Sequence, residues 1–295
     1  MSEPAAQEFR ALLSTISTQG GVFLVLGHTD VGKSTLVQRL VRLVTARGEA
    51  VAVLDTDLGQ STFGLPTTLN LVRFSPEVEP PIPERIASVF VGAVSPIGHL
   101  LQTLVGCRRL LDRAQKLGVH TILIDTTGLV EGPLAVEFKL QKIDLLRPNH
   151  LLALSRRDEL EPILRPCARR ADMVIHRLPV AEAARERSPE ERRANRQDKY
   201  RDYFTGLARH RFGLNKVGVW GRLPQRSSGD VPGLLVSLND GEGFCLGVGQ
   251  LQQHTLREVT VLAPLTTVSK VKLLRFGSIA VDAQGNERFF SPREW

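Results

Sequence analysis

The residues Gly27-His28-Thr29-Asp30-Val31-Gly32-Lys33-Ser34 match the phosphate-binding loop pattern G-x-x-x-x-G-K-[ST]. Before them, Gly21–Leu26 is an apolar run typical of a buried strand, and the stretch that begins at Thr35 has helical apolar spacing. In a strand–loop–helix arrangement, the backbone N–H groups of the loop point into one concavity at the positive end of the helix dipole. Lys33 would then reach the β- and γ-phosphates, and the Ser34 hydroxyl would ligate Mg²⁺. The sequence therefore predicts a nucleoside triphosphate site, with residues 27–35 as its binding loop.

Strand-like runs alternate with helical patterns over the first half of the chain. This alternation predicts an α/β fold with a parallel sheet and helices on both faces, the core of a P-loop NTPase. Such sheets bind ligands beyond the carboxyl ends of their strands. The further strands are expected at Val51–Leu54, Ser88–Val91, Thr121–Ile124, Leu151–Leu154 and Met173–Ile175, and the main helices at Leu100–Leu117 and Leu134–Leu146.

The composition changes twice after the predicted core. Residues 181–211 form a charged, arginine-dense and helical stretch, here called the lid. Short strands separated by the turns 239–243 and 282–286 follow it. We therefore expect a P-loop domain over 1–214, with the lid in it, and a small β-rich domain over 215–295. Strands are expected at 217–220, 233–238, 244–248, 259–262 and 278–281.

Charge and composition narrow the class of protein. The net charge is +7, which favours a polyanionic partner, although an arginine-rich composition can have other origins. Cys107, Cys167 and Cys245 are too few and too far apart for a disulfide framework or a zinc site. The sequence has no long apolar run and no N-terminal signal, so we expect a cytoplasmic protein without a membrane partner.

Two acidic motifs follow predicted strands. Asp55-Thr56-Asp57-Leu58-Gly59-Gln60 comes after Val51–Leu54, and Asp125-Thr126-Thr127-Gly128 comes after Thr121–Ile124. Aspartates at such strand ends hold the Mg²⁺ sphere or accept a proton from an attacking hydroxyl, although a strand end can also carry ordinary polar residues. Asp57 and Asp125 compete for the metal role. We assign proton abstraction to Asp57 and the Mg²⁺ sphere to Asp125.

Two further stretches have both a structural and a functional interpretation. In Gly92–His99, Ser95 can cap the following helix with Pro96 at its first position, or the helix start can hold a phosphate of a second substrate. His99 is then a substrate contact or a surface residue. In 185–196, Arg192 and Arg196 share a helix face and Arg193 lies beside them. These arginines either form a solvated surface or cover a transferring phosphoryl group.

Taken in this order, the motifs resemble those of the polynucleotide 5′-hydroxyl kinase family. Residues 27–35 are similar to its phosphate loop, and Asp55–Gln60 resembles its base-bearing motif with Asp-x-Gly-Gln. Residues 91–106 resemble its substrate clasp, and 187–206 resemble its arginine lid. Leu129 stands where eukaryotic members carry a tryptophan, so a stacking platform for the terminal base is missing or is supplied elsewhere.

The resemblance implies a role for each motif. Lys33 and Ser34 would hold the triphosphate and Mg²⁺, with Asp57 and Asp125 near the metal. Asp57 would activate the 5′-hydroxyl, and Gln60 would assist it. The phosphoryl group would be stabilised by the lid arginines Arg192, Arg193 and Arg196, and the substrate contacts would be Ser95, His99, Thr127, Gly128 and Arg187.

The sequence thus predicts a Mg²⁺-dependent kinase that transfers the γ-phosphate of ATP or GTP to the 5′-hydroxyl of single-stranded RNA or DNA. It identifies no protein partner. One alternative is a GTPase of the switch or metallochaperone type, which would need a guanine-reading Asn/Thr-Lys-x-Asp; Leu154-Ser155-Arg156-Arg157-Asp158 lacks the lysine. The other alternative is a nucleic-acid-stimulated ATPase.

Overall fold

A twisted, mostly parallel sheet forms the centre of the first half of the chain. The computed structural model describes residues 3–181, 184–221 and 232–290. The strand order is β4-β3-β2-β5-β1-β6-β7, so the first strand lies inside the sheet, between β5 and β6. The strands are β1 (Gly21–Gly27), β2 (Val51–Thr56), β3 (Thr68–Phe74), β4 (Glu84–Phe90), β5 (Thr121–Thr126), β6 (His150–Ser155) and β7 (Val174–Pro179).

Helices cover both faces of this sheet, as the sequence predicts. α1 and α2 bury Phe9, Leu12 and Leu40 on one face. α3, α4 and α5 bury apolar residues such as Leu110 and Ile143 on the other. The helices are α1 (Glu3–Gln19), α2 (Lys33–Thr45), α3 (Leu100–Gln115), α4 (Pro133–Leu146), α5 (Glu161–Cys167) and α6 (Pro189–Tyr203).

The sheet differs from the sequence prediction at one edge. Strands β2, β5, β1, β6 and β7 run parallel, but β3 pairs antiparallel with both β2 and β4. The sequence analysis did not predict β3, nor the N-terminal helix α1. The parallel strands all end at the same edge, which brings the phosphate loop after β1 beside the acidic motifs after β2 and β5.

A second, antiparallel-rich sheet follows the lid. Its order is β14-β13-β10-β11-β12-β8, and β9 pairs with β13 in parallel. β8 belongs to this sheet although the sequence analysis placed residues 208–211 in the helical lid. The strands are β8 (Ala208–Gly213), β9 (Gly218–Trp220), β10 (Leu234–Asn239), β11 (Cys245–His254), β12 (Glu258–Ala263), β13 (Leu273–Val281) and β14 (Glu287–Phe289).

The two sheets meet through β13 and the segment after β4. The Ser278 backbone N–H donates to Gly92 O at 2.9 Å. A Cβ on Gly277 would lie 3.0 Å from the Gly92 Cα, so the close approach requires glycine. A shared apolar cluster, including Phe90, Tyr200 and Ile279, joins β4, α6 and β13. The second sheet is therefore packed against both the lid helix and the loop after β4.

The remaining global features can be stated briefly. Within residues 3–181, 184–221 and 232–290, no helix is long and apolar enough to cross a bilayer. Cys107, Cys167 and Cys245 are buried and free. The same part of the chain has no group of three or more metal-ligating His, Cys, Asp or Glu side chains.

Candidate active site

The phosphate loop connects β1 to α2 and presents Lys33 at the first position of the helix. Gly32 precedes it with φ 91°, a left-handed conformation that favours glycine. Lys33 is buried, and its Nζ donates to His28 O at 2.7 Å. Burial lowers the pKa of Lys33, while the neighbouring carboxylates of Asp125 and Asp57 oppose that shift. The ammonium group thus lies within a loop of backbone N–H groups, as a phosphate clamp requires.

Ser34 and Asp125 form a close polar pair at the sheet edge. Ser34 Oγ donates to Asp125 Oδ2 at 2.5 Å. The other oxygen, Asp125 Oδ1, is buried and has no hydrogen-bond partner among the described residues. Burial raises the pKa of Asp125 to about 7, and the charge of Asp55 adds to this effect. A hydroxyl and a carboxylate oxygen that is unsatisfied fit a hard cation such as Mg²⁺.

The two aspartates after β2 have different surroundings. Asp55 is fully buried, and its Oδ2 accepts hydrogen bonds from Ser61 Oγ and from the N–H groups of Thr62 and Phe63. Asp55 therefore shapes the loop that follows, and burial raises its pKa. Asp57 is half-buried and lines the cleft, and its Oδ1 accepts from Gly59 N and Gln60 N at 3.0 Å. Among the described residues, Asp57 Oδ2 has no donor, so it can accept a proton from a ligand.

Thr127 and Gly128 lie against the phosphate loop. A Cβ on Gly128 would lie 2.4 Å from Thr29 N, so only glycine fits there. Thr127 Oγ1 is buried and has no hydrogen-bond partner among the described residues. This pair therefore borders the phosphate loop directly.

Two buried lysines of α4, which were not predicted as site residues, donate hydrogen bonds to residues at the ends of β2 and β5. Lys139 Nζ donates to Thr126 Oγ1 at 2.9 Å and to Thr127 O at 2.7 Å, and Lys142 Nζ donates to Thr56 Oγ1 at 3.0 Å. Burial lowers the pKa of Lys139 well below its usual range, and the charge of Lys142 adds to this. Two lysines three residues apart on the apolar helix α4 were the signal for them.

The lid contacts the phosphate loop through Asp30. Arg187 donates its backbone N–H to Asp30 Oδ2 at 2.9 Å and its Nε to Asp30 Oδ1 at 2.8 Å. Arg192 Nη1 lies 3.1 Å from Asp30 Oδ2. Burial opposes ionisation of Asp30, but the hydrogen bonds from Arg187 outweigh it and lower the pKa of this carboxyl. The lid therefore lies over the phosphate loop.

Gln60 is a second contact between the lid and the core. Its Nε2 donates to Arg192 O at 3.1 Å. Its Oε1 accepts from Asn195 Nδ2 at 2.9 Å and from Arg187 Nη1 at 3.3 Å. In this structure the Gln60 side chain therefore fixes the position of the lid helix.

The three lid arginines predicted to be catalytic have three different surroundings. Arg192 is half-buried and contacts Asp30 of the loop, whereas Arg193 is exposed, and neither arginine lines the cleft. Arg196 forms a bidentate pair with Glu287 of β14, with both N–O distances at 2.7 Å. Arg192 and Arg196, which were predicted to share one helix face, thus contact different partners. Arg192 contacts the phosphate loop, and Arg196 contacts the second sheet.

The segment 91–99, here called the clasp loop, differs from its prediction. α3 begins at Leu100, and its N-cap is His99, not Ser95, so the predicted capping role of Ser95 is wrong. Ser95 Oγ instead accepts from Ile97 N at 3.2 Å and closes a local turn. His99 Nε2 lies 3.1 Å from Ser278 Oγ, and burial, followed by the charge of Arg275, lowers the pKa of His99. His99 therefore joins the clasp loop to the second sheet.

An open cleft of about 1020 Å³ lies between the phosphate loop and the lid. Lys33, Ser34, Asp57, Gln60 and Arg187 all line it. The sequence analysis missed other polar lining residues, namely Arg39, Arg185, Asn195 and Lys199. Asn195 and Lys199 lie three and seven residues after Arg192, so helical spacing from Arg192 was the signal for them.

Comparison with known proteins assigns the chain to a family. Residues 27–206 match the family described as mRNA cleavage and polyadenylation factor CLP1 P-loop. The chain belongs to this family. The matching range contains the phosphate loop, both acidic motifs, the clasp loop and the lid helix, and it ends just before β8.

The chain is similar to named relatives over most of its length. A polyribonucleotide 5′-hydroxyl-kinase of Pyrococcus furiosus is 32% identical over 92% of this chain and 90% of its own length. A polyribonucleotide 5′-hydroxyl-kinase Clp1 of Xenopus tropicalis is 27% identical over 68% of this chain and 47% of its own length. Among solved structures, Clp1p in the Clp1p–Pcf11p complex has a TM-score of 0.67 at 13% identity, covering 93% of this chain and 79% of that chain. That structure shares the fold of this chain.

Proposed function

We propose that this chain is a polyribonucleotide 5′-hydroxyl kinase, which transfers the γ-phosphate of a nucleoside triphosphate to the 5′-hydroxyl of single-stranded RNA. The names of its relatives support the reaction class. The observation that carries the proposal is Asp57. Its carboxylate, one oxygen of which has no donor in the described part of the chain, lines the same cleft as Lys33 and Arg187. The switch-type GTPase and the ATPase alternatives are not favoured by these relatives.

The donor triphosphate would bind in the phosphate loop. The N–H groups of residues 28–35 would surround the β-phosphate, and Lys33 would exchange His28 O for phosphate oxygens. Ser34 and Asp125 would hold Mg²⁺, because Asp125 Oδ1 is buried and has no partner among the described residues. The ion would neutralise charge on the phosphates. Gly128, which packs against Thr29, would border the γ-phosphate, with Thr127 beside it.

The acceptor would enter from the side of the clasp loop. A Cβ on Gly59 would lie 2.8 Å from Val94 O, so the clasp loop directly contacts the motif that carries Asp57. Asp57 Oδ2 would accept the proton of the 5′-hydroxyl as its oxygen attacks the γ-phosphorus. Ser95 and His99 lie along the same loop and would contact the acceptor backbone.

The lid would complete the site during transfer. Arg187 and Arg192 contact Asp30 beside the phosphate loop, and an incoming γ-phosphate offers these guanidinium groups a competing anion. Stabilisation of the transferring phosphoryl group by these two arginines, together with positioning by Asp57, would supply most of the catalysis.

A transfer experiment tests the proposal. The protein is incubated with γ-labelled ATP, or in parallel with GTP, and with RNA and DNA oligonucleotides that carry 5′-hydroxyl or 5′-phosphate ends. We expect label to join only the 5′-hydroxyl ends and to be lost in a folded Lys33→Ala variant. Release of labelled inorganic phosphate without labelled oligonucleotide would instead identify an ATPase or GTPase.

A further inference from the structure

An exposed tryptophan lies on the second sheet beside an arginine. Strand β9 pairs with β13 so that Trp220 stands opposite Arg275. The guanidinium carbon of Arg275 lies 5.7 Å from the centroid of the Trp220 ring, within cation–π range. Trp220 nevertheless remains 57% exposed. One face of the indole is therefore covered by Arg275, and much of the ring remains open to a ligand.

The surroundings of Trp220 are positively charged. Arg275 is half-buried, and burial and the charge of Arg109 lower its pKa. Arg109 donates to the backbone carbonyls of Gly243 and Glu242, while the Glu242 carboxylate lies 3.9 Å from Arg113. Among the described residues, neither Arg109 nor Arg275 pairs with a carboxylate.

Both arginines and Trp220 line one small cavity of about 10 Å³, which has room for one water molecule, so a nucleotide would lie on the surface above it. The charges of the two neighbouring arginines repel each other and attract an anion. An indole with an open face attracts a planar ring. A nucleotide unit combines these two properties, because it carries a phosphodiester anion next to an aromatic base.

Arg275 lies close to the clasp loop on the acceptor side of the candidate active site, because its charge affects the pKa of His99. Ser278, three residues after Arg275 on β13, contacts His99 of the clasp loop at 3.1 Å. Three residues of strand span about 10 Å. The clasp loop in turn contacts Gly59, two residues from Asp57. The clasp loop therefore connects the motif that carries Asp57 to strand β13, on which Arg275 pairs with Trp220.

We propose that Trp220, Arg275 and Arg109 form a subsite for a nucleotide of the acceptor strand downstream of its phosphorylated end. The base stacks on the open face of Trp220, and the two arginines contact the phosphodiester. This inference rests on the proposed function, because the acceptor is a single-stranded nucleic acid. It adds a binding site in which Trp220 and Arg275 of the second sheet lie outside the range that matches the CLP1 P-loop family, whereas Arg109 of α3 lies inside that range.

Acceptor length separates this subsite from the site of transfer. We expect Trp220→Ala to lower kcat/KM by about 10-fold for an acceptor of about ten nucleotides, the scale of one lost base stack. For a dinucleotide acceptor, which ends before the subsite, kcat/KM is unchanged. Arg275→Ala lowers the long-acceptor value as well and reduces the salt dependence of KM. Trp220→Phe, which keeps an aromatic ring, restores part of the loss.

Phe289→Ala is the matched control for Trp220→Ala. Phe289 is also an aromatic residue of the second sheet with 57% exposure, but it lies on β14. We expect Phe289→Ala to leave the kinetics of both acceptors unchanged. If Trp220→Ala behaves like Phe289→Ala on the long acceptor, or if it affects both acceptor lengths equally, the subsite is refuted.

A binding measurement tests the subsite without relying on transfer. The chain has two tryptophans, so a Trp295→Phe variant leaves Trp220 as the sole indole fluorophore. We expect a 5′-phosphorylated decanucleotide, which cannot accept phosphate, to quench Trp220, and a dinucleotide or poly-glutamate not to do so. Quenching by poly-glutamate at equal charge would overturn the assignment to nucleic acid. If the chain transfers phosphate to no oligonucleotide yet the decanucleotide quenches Trp220, the proposed kinase activity fails while the subsite stands.

Discussion

Asp30 of the phosphate loop and Arg187 of the lid are joined by two charge-bearing contacts and one backbone hydrogen bond. Arg187 Nη2 and Nε lie 2.7 and 2.8 Å from Asp30 Oδ1, and the Arg187 N–H donates to Oδ2 at 2.9 Å. Asp30 is nearly inaccessible, with a side chain 3% exposed. The nucleotide-binding loop itself thus holds the lid.

Replacing Asp30 by Asn should loosen this contact. Asparagine tolerates the φ of 61° at this position, but it lacks the charge that binds Arg187 and Arg192. We expect trypsin to cleave after the lid arginines about 10-fold faster, since cleavage follows the population of the open lid. Asp198→Asn, which removes an exposed lid carboxylate paired with Arg201, is the control. Equal cleavage of wild type and Asp30→Asn would contradict this role.

The roles of the two strand-end aspartates can be separated by isosteric substitution. Asp57→Asn keeps the shape but removes the proton acceptor, so nucleotide binding should persist while transfer falls by about 10²-fold or more. Asp125→Asn should instead weaken Mg²⁺-dependent nucleotide binding. Single-turnover transfer and nucleotide titration with and without Mg²⁺ measure the two effects. A larger loss of turnover in Asp125→Asn than in Asp57→Asn would reverse the assignments.

Two adjacent lid arginines should differ in their kinetic effects. Arg192 is half-buried and contacts Asp30 of the phosphate loop, whereas Arg193 is exposed. Arg192→Ala should lower kcat and kcat/KM together by about 10-fold or more, the pattern of a lost transition-state contact. Arg193→Ala should leave both near wild type. Normal turnover in Arg192→Ala would leave the lid without a role in transfer.

The pair Arg196–Glu287 should contribute to stability. The Glu287 side chain is 1% exposed and that of Arg196 is 14% exposed, so removal of the arginine leaves a buried carboxylate without its cation. We expect Arg196→Met to destabilise the fold by about 3 kcal/mol, measured by urea unfolding. The double variant Arg196→Met/Glu287→Leu should recover most of that loss. An unchanged midpoint in Arg196→Met would show that the pair is not needed for stability.

A buried histidine pair under α1 should make stability depend on pH. His150 stacks on Phe23 and lies 3.2 Å from His176, and burial, then the charge of His176, lowers the pKa of His150 to about 4. The unfolded histidine binds a proton near pH 6.5, so stability is full above that pH and falls as the pH drops towards 4. Melting temperatures should fall as the pH is lowered from 6.5 to 4, and the fall should be smaller in the His150→Phe variant.

Much of the fold could be predicted because the sequence patterns are local. The strand–loop–helix around Lys33 and the apolar runs of β2, β5 and β6 need no tertiary information. Neither α1 nor β3 was among the predicted elements, although the spacing of Phe9, Leu12 and Ile16 in α1 and the alternation in β3 are also local patterns. The order of the strands and the reversed direction of β3 depend on contacts between distant segments.

The site was harder to predict, because its contacts depend on pairing. The sequence places Arg192 and Arg196 on one helix face, but only the fold brings Asp30 to one and Glu287 to the other. Ser95 satisfied the composition rule for an N-cap, yet the chain turns once more before α3 begins at Leu100. Lys139 and Lys142 resemble solvated helix residues until the strand ends above them are known.

Because α6 is joined to the second sheet, the nucleotide side and the acceptor side of the candidate site are mechanically linked. α6 ends at Tyr203, and β8 begins at Ala208, so only a short hinge separates the helix over the nucleotide from an edge strand of the sheet. Glu287 of β14 forms an ion pair with Arg196 in the middle of the same helix. An outward movement of α6 would therefore have to displace this sheet or break that ion pair. If α6 has to move outward for nucleotide exchange, that movement would also disturb the sheet beside the acceptor side, so the two products would not leave independently.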